Sequence, residues 1–354
     1  MKRFVSILAA LLILSSVCYA DGVDKSEVED ALPDEIKELA GELNDAGDTQ
    51  AFFDRLSDTV KQKLRYNAGG IVKKAVGVVL IAVLCSILGL FGSDKIPEYV
   101  PLCGCAAITL LCVGDASSCI SLGTKTINDI SAFSKILLPA MCTASAACGE
   151  VSAAAVRYAA SALFMDVFIS LVQNLIVPFI YAYLAVSIAS AAFENASLAS
   201  VAKLFKWVST SLMTLLSLGF TAYIGVSSAI ASGGDKLASK IAKTTISTAL
   251  PVVGGIISDA ASSVVAGAEI LKNTLGAFGM IAVLSFCVSP LIIIGLNYLA
   301  FKAAAACTSA LRLPQIGALT QSIGSAFGML LGLVGCCGVM MFISLISCMR
   351  AVVG

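Results

Sequence analysis

The chain has 354 residues, no net formal charge, 58% hydrophobic residues and a mean hydropathy of +0.94. A soluble domain is nearer about 45–50% apolar, so this composition excludes an ordinary soluble protein and calls for an integral membrane protein. Histidine is absent, which excludes Ser-His or Cys-His activation, and no G-x-x-x-x-G-K-[ST] loop is present to bind and hydrolyse ATP.

The first 20 residues read as a secretory signal. Lys2 and Arg3 form a charged start, Phe4 to Leu14 an apolar stretch, and Cys18-Tyr19-Ala20 a small-x-small cleavage site. An uncleaved anchor is the alternative. Residues 21–70 follow with 13 acidic and 6 basic side chains. They read as an acidic extracytoplasmic segment of two amphipathic helices. Pro33, Asp34 and Glu35 suit a helix start, and Ile36, Leu39, Ala40 and Leu43 give it an apolar stripe. Asp48 caps a second helix with the stripe Phe52, Phe53, Leu56, Val60 and Leu64. Local packing, membrane-surface binding and partner docking are all open for this segment.

Residues 71–354 form the polytopic domain, an all-α arrangement of about seven or eight spans. The uncharged runs Val167–Phe193, Trp207–Gly234, Asn273–Phe301 and Leu313–Met349 each exceed the roughly 20 residues that cross the hydrocarbon. Spans are predicted near 71–91, 100–122, 137–160, 163–190, 207–231, 251–271, 275–301 and 325–350. Gly92–Tyr99, with Asp94, Lys95, Pro97 and Glu98, reads as a turn. Ala196–Lys206 and Asp235–Ser247 read as amphipathic interfacial stretches.

Ala249 to Gly279 stands out because it holds a Pro, five Gly, Asp259, Glu269 and Lys272 between apolar runs. At membrane depth, irregular backbone and charge survive only inside protein or along a wet cavity. Asp115, Glu150, Arg157 and Asp166 are embedded in the same way. Glu150 and Arg157 are seven apart, on one helix face. Asp259, between Gly254-Gly255 and Gly267, leads this set as a pathway or structural charge. Snorkelling from span ends is the plainer reading for the others.

An internal repeat is suggested by one shared offset of 112 residues, which sets Leu138-Pro139 against Leu250-Pro251 and Pro178 against Pro290. Leu163, Ile169 and Leu184 then meet Leu275, Ile281 and Leu296, and Arg157 meets Glu269 with opposite charge. The halves would be 124–235 and 236–348. Chance is the alternative, because apolar matches come cheaply. If both small-residue segments cross fully, the halves are inverted, and a cleaved signal places Lys236, Lys240, Lys243, Lys302 and Arg312 inside. If both are re-entrant, the halves are parallel and the first three lysines lie outside. Charge leans to the inverted arrangement.

Gly324, Gly328 and Gly332 form two successive G-x-x-x-G steps, the spacing that lets helix backbones approach closely. Packing within the chain is the first reading, and a subunit contact the second. The 13 cysteines read as small buried hydrophobes, since metal sites recruit more regularly spaced ligands. No catalytic residue, cofactor site, metal site or nucleic-acid partner is expected. Asp166 and Asp259 lack the motif context of an aspartyl intramembrane protease.

The runs LPVVGGIISDA and LKNTLGAFG resemble the stage III sporulation protein AE family of endospore-forming bacteria, over most of the chain. The resemblance implies a non-enzymatic membrane subunit of the channel or secretion-like complex between mother cell and forespore. It implies, as partners, the other membrane proteins of the stage III sporulation A operon, their ATPase and, indirectly, the forespore's stage II sporulation protein Q, with membrane lipid around it. The implied location is the mother-cell membrane surrounding the forespore. From the residues alone, a self-sufficient secondary transporter for a small solute is the alternative.

Overall fold

The computed structural model describes residues 49–91, 96–148, 151–249, 254–311 and 313–349. The predicted signal segment, most of the acidic segment including its first helix, and Glu150 lie outside these residues. Every element formed is helical. In chain order they are α1 (Thr49–Phe91), α2 (Ile96–Ala147), α3 (Val151–Leu171), a π turn (Val172–Ile176), α4 (Val177–Phe193), α5 (Ala196–Ala249), α6 (Gly254–Ala310) and α7 (Pro314–Met349). The π turn joins α3 to α4 without a break, so the bundle consists of six rods.

Each rod carries a stretch long and apolar enough to cross a membrane: Val60–Leu90, Tyr99–Ala147, Ala154–Phe193, Ala196–Ile224, Asn273–Ala310 and Pro314–Met349. Among the described residues there are six candidate spans, where seven or eight were predicted. The predicted span 100–122 lies on α2, which runs unbroken on to Ala147, while 137–160 straddles the end of α2 and the start of α3, and 251–271 and 275–301 fall along the single helix α6. Alanine- and serine-rich sequence continues a helix as readily as it starts one, so a change in composition there marks no boundary. The stretches Ala196–Lys206 and Asp235–Ser247 are parts of α5 rather than separate interfacial helices.

The links are short and chemically specified. Glu194 adopts φ 50, a left-handed conformation that ends α4. Asn195 then starts α5, its side-chain Oδ1 accepting from the Ser197 and Leu198 N–H groups at 2.9 and 3.3 Å. Pro314 opens α7, where its missing N–H has no helical partner to lose. Inside the rods, Pro178 cannot supply the N–H that a straight helix would aim at the Asn174 carbonyl. The chain takes its π turn there, with the Val177 N–H reaching the Val172 carbonyl.

Successive rods run antiparallel. Along α6 and α7, Gly276 faces Met349, Gly279 faces Leu345, Cys287 faces Gly338, Tyr298 faces Gly328, and Phe301 faces Gly324. The contacts are close: a Cβ on Gly279 would fall 2.3 Å from Leu137 Cδ2, and one on Gly338 would fall 2.9 Å from Cys287 Sγ. α7 is the central helix. Leu319, Phe327, Leu333, Val334, Cys337, Met341 and Leu345 on it are fully buried. Phe301 and Phe327 meet at 5.3 Å between ring centroids, and Phe133 and Phe286 at 5.6 Å. The outer surface is apolar instead of polar. On α1, Val72, Val76, Leu80, Leu84 and Leu88 stand exposed at four-residue spacing, one helical stripe turned outward. Trp207, Leu215 and Leu218 do the same on α5.

Candidate functional site

Charge inside this bundle is placed by antiparallel pairing. Lys74 of α1 pairs with Asp115 of α2. The pair is partly sheltered, with the two side chains 42% and 21% exposed, and the second carboxylate oxygen of Asp115 is buried with no hydrogen-bond partner among the described residues. Cys112 and Cys119 flank it on α2, both buried. Asp115 is thus a structural ion-pair partner, as an embedded carboxylate between apolar helices must be.

The second pair sits in a groove. On α2, Asn128 and Lys135 are seven residues apart; on α3 and the π turn, Asp166 and Gln173 are too. Seven residues is nearly two full turns, so each pair lies on one helix face. Because the rods are antiparallel, the two faces match crosswise. Gln173 Nε2 donates to Asn128 Oδ1 at 2.9 Å, and Lys135 Nζ lies 3.6 Å from Asp166 Oδ1. Ser131, Ser170 and Asn174 complete the lining, and Asn174 Nδ2 donates to the Ser170 carbonyl at 2.9 Å. The result is an open groove of about 440 Å³ on the flank of the bundle. π turns recur at functional positions because they turn side chains out of α-helical register. Here the turn presents Gln173 and Asn174, both exposed, toward α2.

The other predicted charges fall elsewhere. Arg157 is 4% exposed on α3, and it is not without a partner. Asp259, Glu269 and Lys272 all lie on α6 before the Asn273–Ala310 stretch, with side chains outside the described set; the proposed Glu150–Arg157 and Arg157–Glu269 pairings rest on such residues. α6 is continuous, so the small-residue segment carrying Asp259 and the Asn273–Ala310 stretch belong to one helix. Asp259 is 14 residues, about 21 Å of helix, ahead of Asn273.

Gly324, Gly328 and Gly332 all face helices of the same chain: Phe301, Tyr298 and Met213 respectively. Their role is packing within the protein, the first of the two readings above. Lys206, near the start of α5, and Lys302, near the end of α6, are half-buried. Lys206 Nζ donates to Ser325 Oγ at 3.2 Å, and Lys302 lies 5.9 Å from the centre of the Tyr298 ring. Glu194 accepts from Gln315, tying the α4–α5 link to the start of α7. Among the described residues no cluster of His, Cys, Asp and Glu could hold a metal ion.

Sequence reasoning singled out Asp115 and Asp166 but missed their lysines. Lys135 falls between the predicted spans 100–122 and 137–160, so no span called attention to it. The signal that could have found the groove is the pair of seven-residue spacings, Asn128 to Lys135 and Asp166 to Gln173.

No solved structure matches this chain. It is similar to the stage III sporulation protein AE of Bacillus subtilis (strain 168), at 24% identity over 234 residues, which covers 65% of this chain and 58% of that relative. The chain thus spans less than two thirds of that relative's length. The family described as stage III sporulation protein AE matches residues 32–351. That range takes in all six rods, the α6–α7 glycine contacts and the polar groove, and the chain belongs to the stage III sporulation protein AE family.

Proposed function

We propose that this chain is a non-enzymatic, multi-pass membrane subunit of a channel or secretion-like complex joining mother cell and forespore during endospore formation. In this reading it sits in the mother-cell membrane around the forespore. It works beside other membrane proteins of the stage III sporulation A operon and their ATPase, and indirectly with stage II sporulation protein Q. Residues 1–20 are a cleaved signal, which leaves 21–70 outside the cytoplasm. Two of the Pro-bearing rods, α3–α4 with Pro178 and α6 with Pro290, each followed in the chain by another helix, are consistent with repeated halves at 124–235 and 236–348.

The observation that carries the proposal, beside the family itself, is helix length. α2, α5 and α6 have 52, 54 and 57 residues. At about 1.5 Å per residue each is roughly 80 Å long, against a hydrocarbon core of about 30 Å. A protein that only sealed or crossed a bilayer has no use for that excess. A subunit that must meet partners beyond the bilayer does. A photo-crosslinking residue placed at position 240 or 259, in cells making spores, tests this. An adduct with another stage III membrane protein is the expected result. Adducts with lipid alone, together with normal spore yield on deletion of the gene, would overturn the proposal.

A further inference from the structure

We infer that the groove between α2 and the α3–α4 rod is a binding site for a zwitterion that carries a primary ammonium and an anionic group a few ångströms apart. The inference rests on the groove itself and holds whether or not the proposed complex forms. Lys135 and Asp166 are 67% and 64% exposed, and their 3.6 Å separation is longer than the roughly 2.7–2.9 Å of a charge-assisted hydrogen bond. Such an exposed pair gains little from its own contact. Each partner keeps hydrogen-bonding capacity that faces the groove.

A zwitterion converts one loose contact into two short ones. Its anionic group accepts from the Lys135 ammonium, and its ammonium donates to the Asp166 carboxylate. The site is electrically neutral, so a neutral zwitterion leaves no charge uncompensated, whereas a simple anion or cation strands one member of the pair. Asn128, Gln173 and Asn174 add both amide donors and acceptors, and Ser131 and Ser170 add hydroxyls. The volume, about 440 Å³, falls in the range of small-molecule sites, about 300–1,000 Å³. Apolar side chains adjoin these groups: Ala132 and Ile169 line the groove, and Ile136, Leu163 and Val167, near Lys135 and Asp166 along α2 and α3, are exposed at 45%, 60% and 41%.

Two sources supply this chemistry: the headgroup of an aminophospholipid, whose acyl chains these apolar side chains would take, and a free amino acid. The test uses the full-length protein purified in detergent. Native mass spectrometry reads retention of phosphatidylethanolamine, phosphatidylcholine and phosphatidylglycerol, and scintillation proximity reads binding of radiolabelled alanine. Selective retention of phosphatidylethanolamine supports the lipid source, since the trimethylammonium of phosphatidylcholine cannot donate a hydrogen bond. Alanine binding supports the free source. In either case Asp166→Asn should weaken binding about tenfold or more, the scale of losing one charge-assisted bond. The double exchange Lys135→Asp with Asp166→Lys should recover most of it, because a zwitterion can reverse. Recovery in the exchange variant separates loss of the site from loss of the fold. Retention of all three lipids alike with no alanine binding, preference for phosphatidylglycerol, or binding unaltered by Asp166→Asn would overturn the inference.

Discussion

The Lys74–Asp115 pair gives the clearest expectation for a single residue. Asp115→Leu strands the Lys74 ammonium between α1 and α2 and should cost about 1–3 kcal/mol, between the values for exposed and fully buried pairs. Adding Lys74→Leu should restore part of that loss, since two apolar groups then replace the pair. Thermal unfolding of the three variants in detergent measures it, and a double variant less stable than Asp115→Leu would contradict the account. The residues differ in how far their sequence reveals them. Asp115 and Asp166 were visible as charges in apolar surroundings, because hydrocarbon tolerates few. Their lysines were not, because the pairing is set by the antiparallel register of two long helices, and no local pattern reports that. Lys135 was further hidden because it falls between two predicted spans and on a helix that runs on past the first of them.

Glycine sites along α6 and α7 should separate by what each Cβ would meet. A Cβ on Gly324 has its nearest neighbours at 3.5–3.6 Å, ordinary contact, so Gly324→Ala should be neutral or stabilise by up to about 1 kcal/mol through helix propensity. A Cβ on Gly279 would sit 2.3 Å from Leu137 Cδ2 and 3.3 Å from both Leu345 methyls. Leu137 and Leu345 are fully buried and have little room to turn, so Gly279→Ala should destabilise by about 1–3 kcal/mol. Melting temperatures of the two variants decide it. α6 also makes an accessibility prediction. A cysteine introduced at Asp259 should react with a water-soluble maleimide in nanodiscs, above the wild-type background, while one at Leu299, in the crossing part, should stay protected. Equal protection at both would return Asp259 to membrane depth. Helix content was legible in the apolar runs, and the breaks at Glu194 and Leu313 fall near polar or proline residues. The joins were not legible, because Ala, Ser and Gly mark a weakly hydrophobic helix and a helix end alike. The π turn follows from Pro178 only once the rod is known to continue through it.

For the whole molecule, composition alone settled the class, since 58% hydrophobic residues cannot be buried within one chain of this size and must meet lipid. The crossing number did not follow from hydropathy, because two of the predicted spans fall along the one helix α6 and another straddles the end of α2 and the start of α3. If the protein is a subunit and not a self-sufficient transporter, proteoliposomes containing it alone should show no gradient-driven uptake of amino acids or sugars; robust uptake would favour the transporter reading. The alternating rods carry one further consequence. Six crossings, one for each rod of the described residues, would return the polypeptide to the compartment it left, so Thr49 and Met349 would share a face with the end of α5 and the start of α6. Reporters fused just before position 49 and just after position 349 should therefore give the same signal, whichever compartment that is. Opposite signals would mean that one rod does not traverse. Thr49, Met349, the last turn of α5 and the first of α6 are thus offered to a single aqueous space, while the α4–α5 link turns toward the other.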